Sequence, residues 1–375
     1  MSAADRPEIV MTHDYPPVTG GGLAIGVREL AGLLCARHNV QVLSSRLADH
    51  AADDRQRALS DSAGVRYSRA TVLRAAHAIH RADVVIAHFT FSFRRLAILS
   101  LVLGPLLRKP TVCVIHTAPD HCDYNWLGQI PAWARHAVFA LTRRALQECA
   151  AVVALGPAHS AAIIAVGFSV THIAPLPVSP TAQYRDAFLH HAVTTNPMRI
   201  IGFAGELSPL KGADALPALL RALTPQYEFR IAGAGPFADA LACCVAELSP
   251  TQRGRVVLAG PIAPSRMAGF YHDVDYLVVL SRTEASSRVT LEAMLAGVIV
   301  LASSTCGSID LISDGTTGIL IRPGDPASVG ATLAALAADL GRAQAIRERA
   351  ARFAAQLAVD SRSRWRGLLS QVLQP

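Results

Sequence analysis

The feature that most constrains this chain is a rhythm. Short apolar runs of strand length, each followed by a stretch of helical recurrence, form a series that stops and then starts again. The first series falls at 9–11, 40–43, 84–87, 112–115 and 152–155. The second falls at 200–203, 229–232, 256–258, 276–280, 298–302 and 318–321, and 327–371 reads as helical throughout. Uniformly apolar runs bounded by helices mark parallel strands buried on both faces, because each crossover lays a helix against the sheet. Between the series, the segment holding Pro175, Pro177, Pro180 and Pro197 breaks the pattern and reads as a linker. A chain of 375 residues exceeds one ordinary core and suits two domains of about 180 residues each. The expected layout is α/β: a doubly wound N-terminal domain over 1–178, a linker region over 179–198, and a second doubly wound domain from 199 onward. Two such sheets facing each other place a ligand crevice at the carboxyl ends of their strands.

Composition narrows the class. With 51% hydrophobic and 17% charged residues the chain is globular, not disordered. Seven scattered cysteines (35, 113, 122, 149, 243, 244 and 306) form no Cys-x-x-Cys pair and no matched histidine spacing, so neither a zinc site nor a disulfide framework is expected. A reducing cytoplasm suits them. The start, Met1-Ser-Ala-Ala-Asp-Arg6, has no apolar signal core. The apolar stretch 96–107 is about half the ~20 residues that a bilayer requires; it reads as a buried helix, or as a surface-lying one with basic flanks at Arg94, Arg95, Arg108 and Lys109. The net charge of +7 is weighted to the first half, where 17 basic face 12 acidic side chains up to residue 180. Contact with an anionic membrane or a charged acceptor fits that excess, and no nucleic-acid partner is expected.

Chemistry-bearing residues gather after strands. The run Ser281-Arg-Thr-Glu284-Ala-Ser-Ser287-Arg288-Val-Thr-Leu-Glu292 sets two carboxylates eight positions apart where a strand gives way to a helix. Glu284 falls in the loop, and Val289, Leu291, Met294 and Leu295 give the helical recurrence behind it. Ser286 or Ser287 is placed to cap that helix, whose first turn offers N–H groups and a positive dipole end to a phosphate. After the second domain's first strand comes Gly205-Glu206-Leu-Ser-Pro-Leu-Lys211-Gly212, and Lys109 and Lys211 are the only lysines among 35 basic residues. A compact ammonium there suits a point contact with a diphosphate. Gly233-Ala-Gly235-Pro236 follows the next strand, where backbone groups are free to approach a flat base. After the chain's first strand, Gly20-Gly21-Gly22 and Gly26 precede or open a helix over about 24–37. They lie too far past the strand for a dinucleotide fingerprint, and Ser44-Ser45-Arg46 lacks the acid that would hold a ribose, which counts against a nicotinamide oxidoreductase.

In this order, the pieces resemble the GT-B glycosyltransferases of the retaining, family 4 or group 1 type. The match is tight from Arg199 to Asp325, including the tail Asp314-Gly315-Thr-Thr-Gly318 through Asp325, and looser before Pro175. The resemblance implies two Rossmann-like domains facing across a cleft. The nucleotide sugar is then held mainly by the second domain, over 199–355, and a last helix, 356–375, packs back on the first. It implies that Glu292 accepts from ribose hydroxyls, that Glu284 holds the transferred sugar and that Lys211 contacts the diphosphate. Gly21 and Gly22 would cover the phosphates from the other domain, and His116 would lie beside sugar and acceptor, with His88, Asp120 and His121 as lesser candidates. The implied enzyme moves a hexose from a nucleoside-diphosphate sugar to a glycan or lipid-linked acceptor in cell-envelope or exopolysaccharide synthesis, with no cofactor or metal, in the cytoplasm or at the inner face of its membrane. Two departures stand out: Glu206 occupies a position where the family often has arginine, and Ser286-Ser287 replaces its Phe-Gly. Arg288 is expected to swing toward the phosphates in place of the missing cation. The alternatives are a catalytically degenerate subunit of this fold that partners an active transferase, and a nucleotide-sugar epimerase.

Overall fold

The computed structural model describes residues 6–13, 22–44, 65–69, 71–91, 95–119, 129–178, 182–193, 199–223, 226–304, 307–322 and 325–374. The chain divides into two compact units, Met1–Pro177 with Val359–Pro375, and Val178–Ala358. Each is built on a parallel sheet of Rossmann type.

The first unit runs β1 (Glu8–His13), α1 (Gly22–Leu34), β2 (Asn39–Ser44), β3 (Val65–Arg69), α2 (Val72–Arg81), β4 (Val84–Phe89), α3 (Arg95–Leu106), β5 (Thr111–Ile115), α4 (Ala132–Gln147), β6 (Ala151–Ala154), α5 (Pro157–Ala165) and β7 (His172–Ile173). Its seven strands take the order β3-β2-β1-β4-β5-β6-β7, every pair parallel. Strands β4, β5 and β6 are buried at every residue, as their unbroken apolar runs require. Sheet order reverses direction at β1 and β4, where neighbouring crossovers leave in opposite senses.

The second unit runs α6 (Ala182–Val193), β8 (Ile200–Ala204), α7 (Leu216–Leu223), β9 (Glu228–Ala232), α8 (Ala238–Ala246), α9 (Pro250–Arg253), β10 (Val256–Gly260), α10 (Met267–His272), β11 (Tyr276–Val279), α11 (Arg288–Leu295), β12 (Ile299–Ser303), β13 (Ile319–Ile321), α12 (Pro326–Ala338) and α13 (Leu340–Val372). Its order is β10-β9-β8-β11-β12-β13, again all parallel, with the reversal at β8 and β11. One face of this sheet packs Leu216, Leu220 and Leu241 with Leu333 of α12; the other packs Tyr271, Leu291 and Met294 with Tyr184 and Ala187 of α6.

Three expectations are corrected. The segment 179–198 is not simply a linker: α6 lies inside it, and its buried Tyr184, Ala187 and His191 fall on one helical face against α10 and α11. Flanking prolines hid that helix in the sequence. Residues 327–371 are not helical throughout, because Asp339 leaves helical geometry (φ −128°, ψ 81°) and its carboxylate accepts from the Arg342 N–H at 2.9 Å to start α13. Strands β3 and β7 had no apolar run to announce them: β3 is an edge strand carrying Arg66 and Arg69, and β7 is two residues long.

Helix α13 is shared. Its Ala343, Ile346, Ala350 and Ala354 join the second unit's cores, whereas further along Trp365 Nε1 and Ser361 Oγ both donate to the Pro175 carbonyl, at 2.9 and 2.6 Å. Trp365 is fully buried.

Candidate functional site

In the second unit the sheet reversal brings two loops side by side. The loop after β8 carries Lys211, and the loop after β11 carries Glu284. Lys211 Nζ donates to Glu284 Oε2 at 2.6 Å, and Ser281 Oγ donates to the same oxygen at 3.2 Å. The pair is only partly covered, with side-chain exposures of 30% for Lys211 and 15% for Glu284, so both groups remain within reach of a ligand.

Backbone contacts hold these loops together. Gly212 sits at φ 73°, and a Cβ there would overlap the Leu280 carbonyl oxygen, so only glycine lets the Lys211 loop close on the end of β11. Arg282 fastens the same junction. Its N–H donates to the Leu210 carbonyl at 2.9 Å, while its guanidinium donates to the Pro209 carbonyl and forks onto Asp214 at 3.0 and 2.6 Å. No local pattern betrays this role, because the two loops lie about 70 residues apart. Gly235 presses against Leu207: a Cβ there would meet the Leu207 carbonyl, which in turn accepts from the Phe237 N–H at 2.8 Å. Its visible task is thus to fit one loop beneath another.

On α11 the second carboxylate has its own partners. Arg288 Nε donates to Glu292 Oε1 at 2.7 Å, one helical turn away, and the Tyr271 hydroxyl donates to Glu292 Oε2 at 3.1 Å. Arg288, the residue expected to swing toward a phosphate, is held in this structure by the ion pair, whose members are 15% and 7% exposed. Burial pushes the Tyr271 phenol well above its ordinary value, and the adjacent Glu292 carboxylate pushes it further, so the hydroxyl stays a donor. No local pattern pointed to Tyr271, which sits on another helix, 21 residues upstream.

Ser287 is the N-cap of α11, but its side chain does not cap the helix: its Oγ accepts from Thr290 Oγ1 at 2.7 Å instead. The first-turn N–H groups are therefore not consumed by Ser287. Glu206 is exposed on the Lys211 loop, its carboxylate accepting from Ser208 Oγ at 3.2 Å.

The first unit holds His116, just past β5, and His88 on β4. Both are buried, and His88 Nδ1 and His116 Nε2 share a hydrogen bond of 2.6 Å. The His116 N–H donates to the Phe89 carbonyl at 2.9 Å, and the next residue, Thr117, accepts at Oγ1 from the Phe91 N–H at 2.9 Å. His159 Nδ1 accepts from the Leu155 N–H, which leaves the Nε2 proton for the Thr117 carbonyl at 3.1 Å. Gly22 is the exposed first residue of α1. Gly21, Asp120 and His121 lie outside the described residues. Among the described residues, no group of three or more His, Cys, Asp or Glu side chains is arranged to hold a metal.

Two family models match the chain: "Glycosyltransferase Family 4" over residues 20–181 and "Glycosyl transferases group 1" over 198–339. The chain belongs to the group 1, family 4 glycosyltransferases of GT-B fold. Among curated family relatives, D-inositol 3-phosphate glycosyltransferase of Corynebacterium efficiens is 30% identical over 148 residues, covering 38% of this chain and 35% of that protein. The enzyme of the same name from Thermobispora bispora is 32% identical over 168 residues, covering 42% and 39%. The chain thus matches about two fifths or less of the length of these relatives. Solved GT-B structures agree over nearly the whole chain. Anabaena HepE in complex with UDP and glucose superimposes with a TM-score of 0.77 at 19% identity, covering 98% of this chain and 100% of that one. Sucrose-phosphate synthase from Thermosynechococcus elongatus gives 0.71 at 18%, with the same coverage. At those identities they attest the fold.

Proposed function

We propose that this protein is a retaining hexosyltransferase that uses a nucleoside-diphosphate sugar and delivers the hexose to a glycan or lipid-linked acceptor in cell-envelope or exopolysaccharide synthesis, working in the cytoplasm or at the inner face of its membrane. The observation that carries the reading is the Lys211–Glu284 pair at the sheet reversal of the second unit, with Glu292 on the helix that follows. Family membership supports it, as do fold neighbours solved with UDP and with UDP-glucose.

The chemistry follows from charge. Breaking a sugar–phosphate bond leaves positive charge near the anomeric carbon and adds negative charge to the departing diphosphate, so fixed cations and N–H donors near the diphosphate lower the barrier most. Lys211 supplies the cation, and the first turn of α11, which the Ser287 side chain does not cap, supplies N–H groups; in this reading that duty needs no metal. Glu284 orients the sugar through its hydroxyls. An ammonium 2.6 Å from Glu284 Oε2 damps its nucleophilicity, which favours a positioning role over covalent attack. The leaving phosphate then takes the acceptor proton on the same face of the sugar, preserving configuration. Glu292, held in place by Arg288, accepts from the ribose.

Calorimetric titration with UDP, GDP, UDP-glucose and GDP-mannose tests this. At least one should bind saturably, and Lys211→Ala should weaken it by about tenfold or more, roughly 1.4 kcal/mol. Wild-type protein that binds none of them would remove the reading. One observation favours a second reading in that event: an exposed carboxylate, Glu206, on the Lys211 loop repels diphosphate, as expected of a degenerate subunit that accompanies an active transferase.

A further inference from the structure

The first unit carries an outward surface whose composition does not match that of a solvated helix layer. Helices α2 to α5 cover one face of its sheet. Val10, Val85, Ala87, Phe89, Cys113, Ile115, Val152 and Ala154 all point to that side, and their packing partners come from these four helices: Ala75 and Ile79, Leu96 and Leu101, Leu146, and Ile163. The opposite sides of the same helices also carry large apolar side chains. Leu73 is 84% exposed, Trp133 75%, Leu141 74% and Leu106 72%; with Val72 at 66% these are the five most exposed large hydrophobic side chains among the described residues. Val102 lies one turn before Leu106 on α3 and is also exposed.

The polar positions of this layer are overwhelmingly basic. Arg74, Arg81, Arg108, Lys109, Arg143 and Arg144 belong to it or flank its helices. Between Asp83 and Glu148 the sequence has only two acids, Asp120 and Asp123, and neither is among the described residues. No described helix is long and apolar enough to cross a membrane. Exposed apolar side chains interspersed with cations, on helices that lie flat over a sheet, fit shallow insertion at the headgroup boundary, where leucine and tryptophan enter the acyl edge and arginine meets anionic phosphate.

We propose that the outer face of α2 to α5 docks on an anionic lipid surface, with Leu73, Leu106, Trp133 and Leu141 as the inserting side chains. Charge decides the occupant. A second copy of this chain meeting itself on this face would oppose like charges, and nucleic acid would leave the apolar side chains without a partner. The proposal deepens the membrane side of the function above and stands on this surface alone, so it holds or fails independently of donor binding.

The test is co-sedimentation of the whole protein with vesicles of phosphatidylcholine, alone or with 30% phosphatidylglycerol as a chosen condition. Donor titration and sedimentation velocity are run on the same preparations. The expected result is binding to the anionic vesicles that falls with added salt and drops by about tenfold or more in Leu106→Gln/Trp133→Ser, with the circular-dichroism melt and nucleotide binding unchanged. If that variant melts early, Arg143→Glu/Arg144→Glu serves, and the same loss is expected. Equal binding by wild type and variants, or no binding at low salt, overturns the proposal. So does a stable dimer that the apolar variant dissociates, which would make a second copy the occupant. Nucleotide binding without vesicle binding defeats this inference and leaves the transferase standing; the converse does the opposite.

Discussion

Glu292 shows how much one carboxylate depends on its neighbours. Nearly buried, it is tolerable as an anion only because Arg288 and Tyr271 each donate to one oxygen. Removing Arg288 leaves that charge uncompensated, so Arg288→Ala should cost about 3 kcal/mol in a urea melt, near the lower end for a broken buried pair. Adding Glu292→Gln to it should restore much of the loss, because the anion disappears with its partner. A stable Arg288→Ala protein that has lost only nucleotide affinity would instead place the guanidinium on the phosphates. A carboxylate accepts at more than two positions, so these donors leave room for a ribose hydroxyl.

Helix α6 shows what an element can conceal. His191 lies buried on it, its Nε2 proton donated to the Tyr271 carbonyl at 2.9 Å, while its own carbonyl accepts from Arg347 of α13 at 3.1 Å. Burial pulls the imidazole down to about 4; the Tyr271 hydrogen bond opposes that fall without cancelling it. The unfolded value is about 6.5, so the fold is penalised only where the unfolded chain takes the proton and the native one does not. Stability is whole above about pH 6.5 and declines down to about pH 4, by up to about 3 kcal/mol. His191→Asn should flatten that part of a pH series of thermal melts, at some cost in stability at neutral pH. An unaltered slope would locate the acid sensitivity elsewhere. The same helix marks the limit of reading by pattern. Buried parallel strands announce themselves because every side chain must be apolar, which is why β4, β5 and β11 were legible. Lys211 and the Glu284–Glu292 spacing were legible because they follow such strands. Helix α6 was masked by flanking prolines, and β3 by the arginines an edge strand tolerates. Arg282 and Tyr271 act across distances in sequence that leave no periodic trace.

At the scale of the whole molecule, Trp365 is the deepest anchor of the last helix, fully buried and hydrogen-bonded to the Pro175 carbonyl. Trp365→Ala empties that site and leaves the carbonyl to Ser361 alone, so the first unit should lose about 3–5 kcal/mol. Scanning calorimetry should show this as a low-temperature transition split from that of the second unit, and Trp365→Phe should lose less. A single unshifted transition would mean the anchor is dispensable. The arrangement also sets the timetable of synthesis. Domains usually mature in the order in which they leave the ribosome. Here the leading domain must wait for the final turns of α13, while Val178–Ala358, contiguous in the chain, already has everything it needs. The part translated first is the part completed last, and until then its unfinished core is a natural client for chaperones.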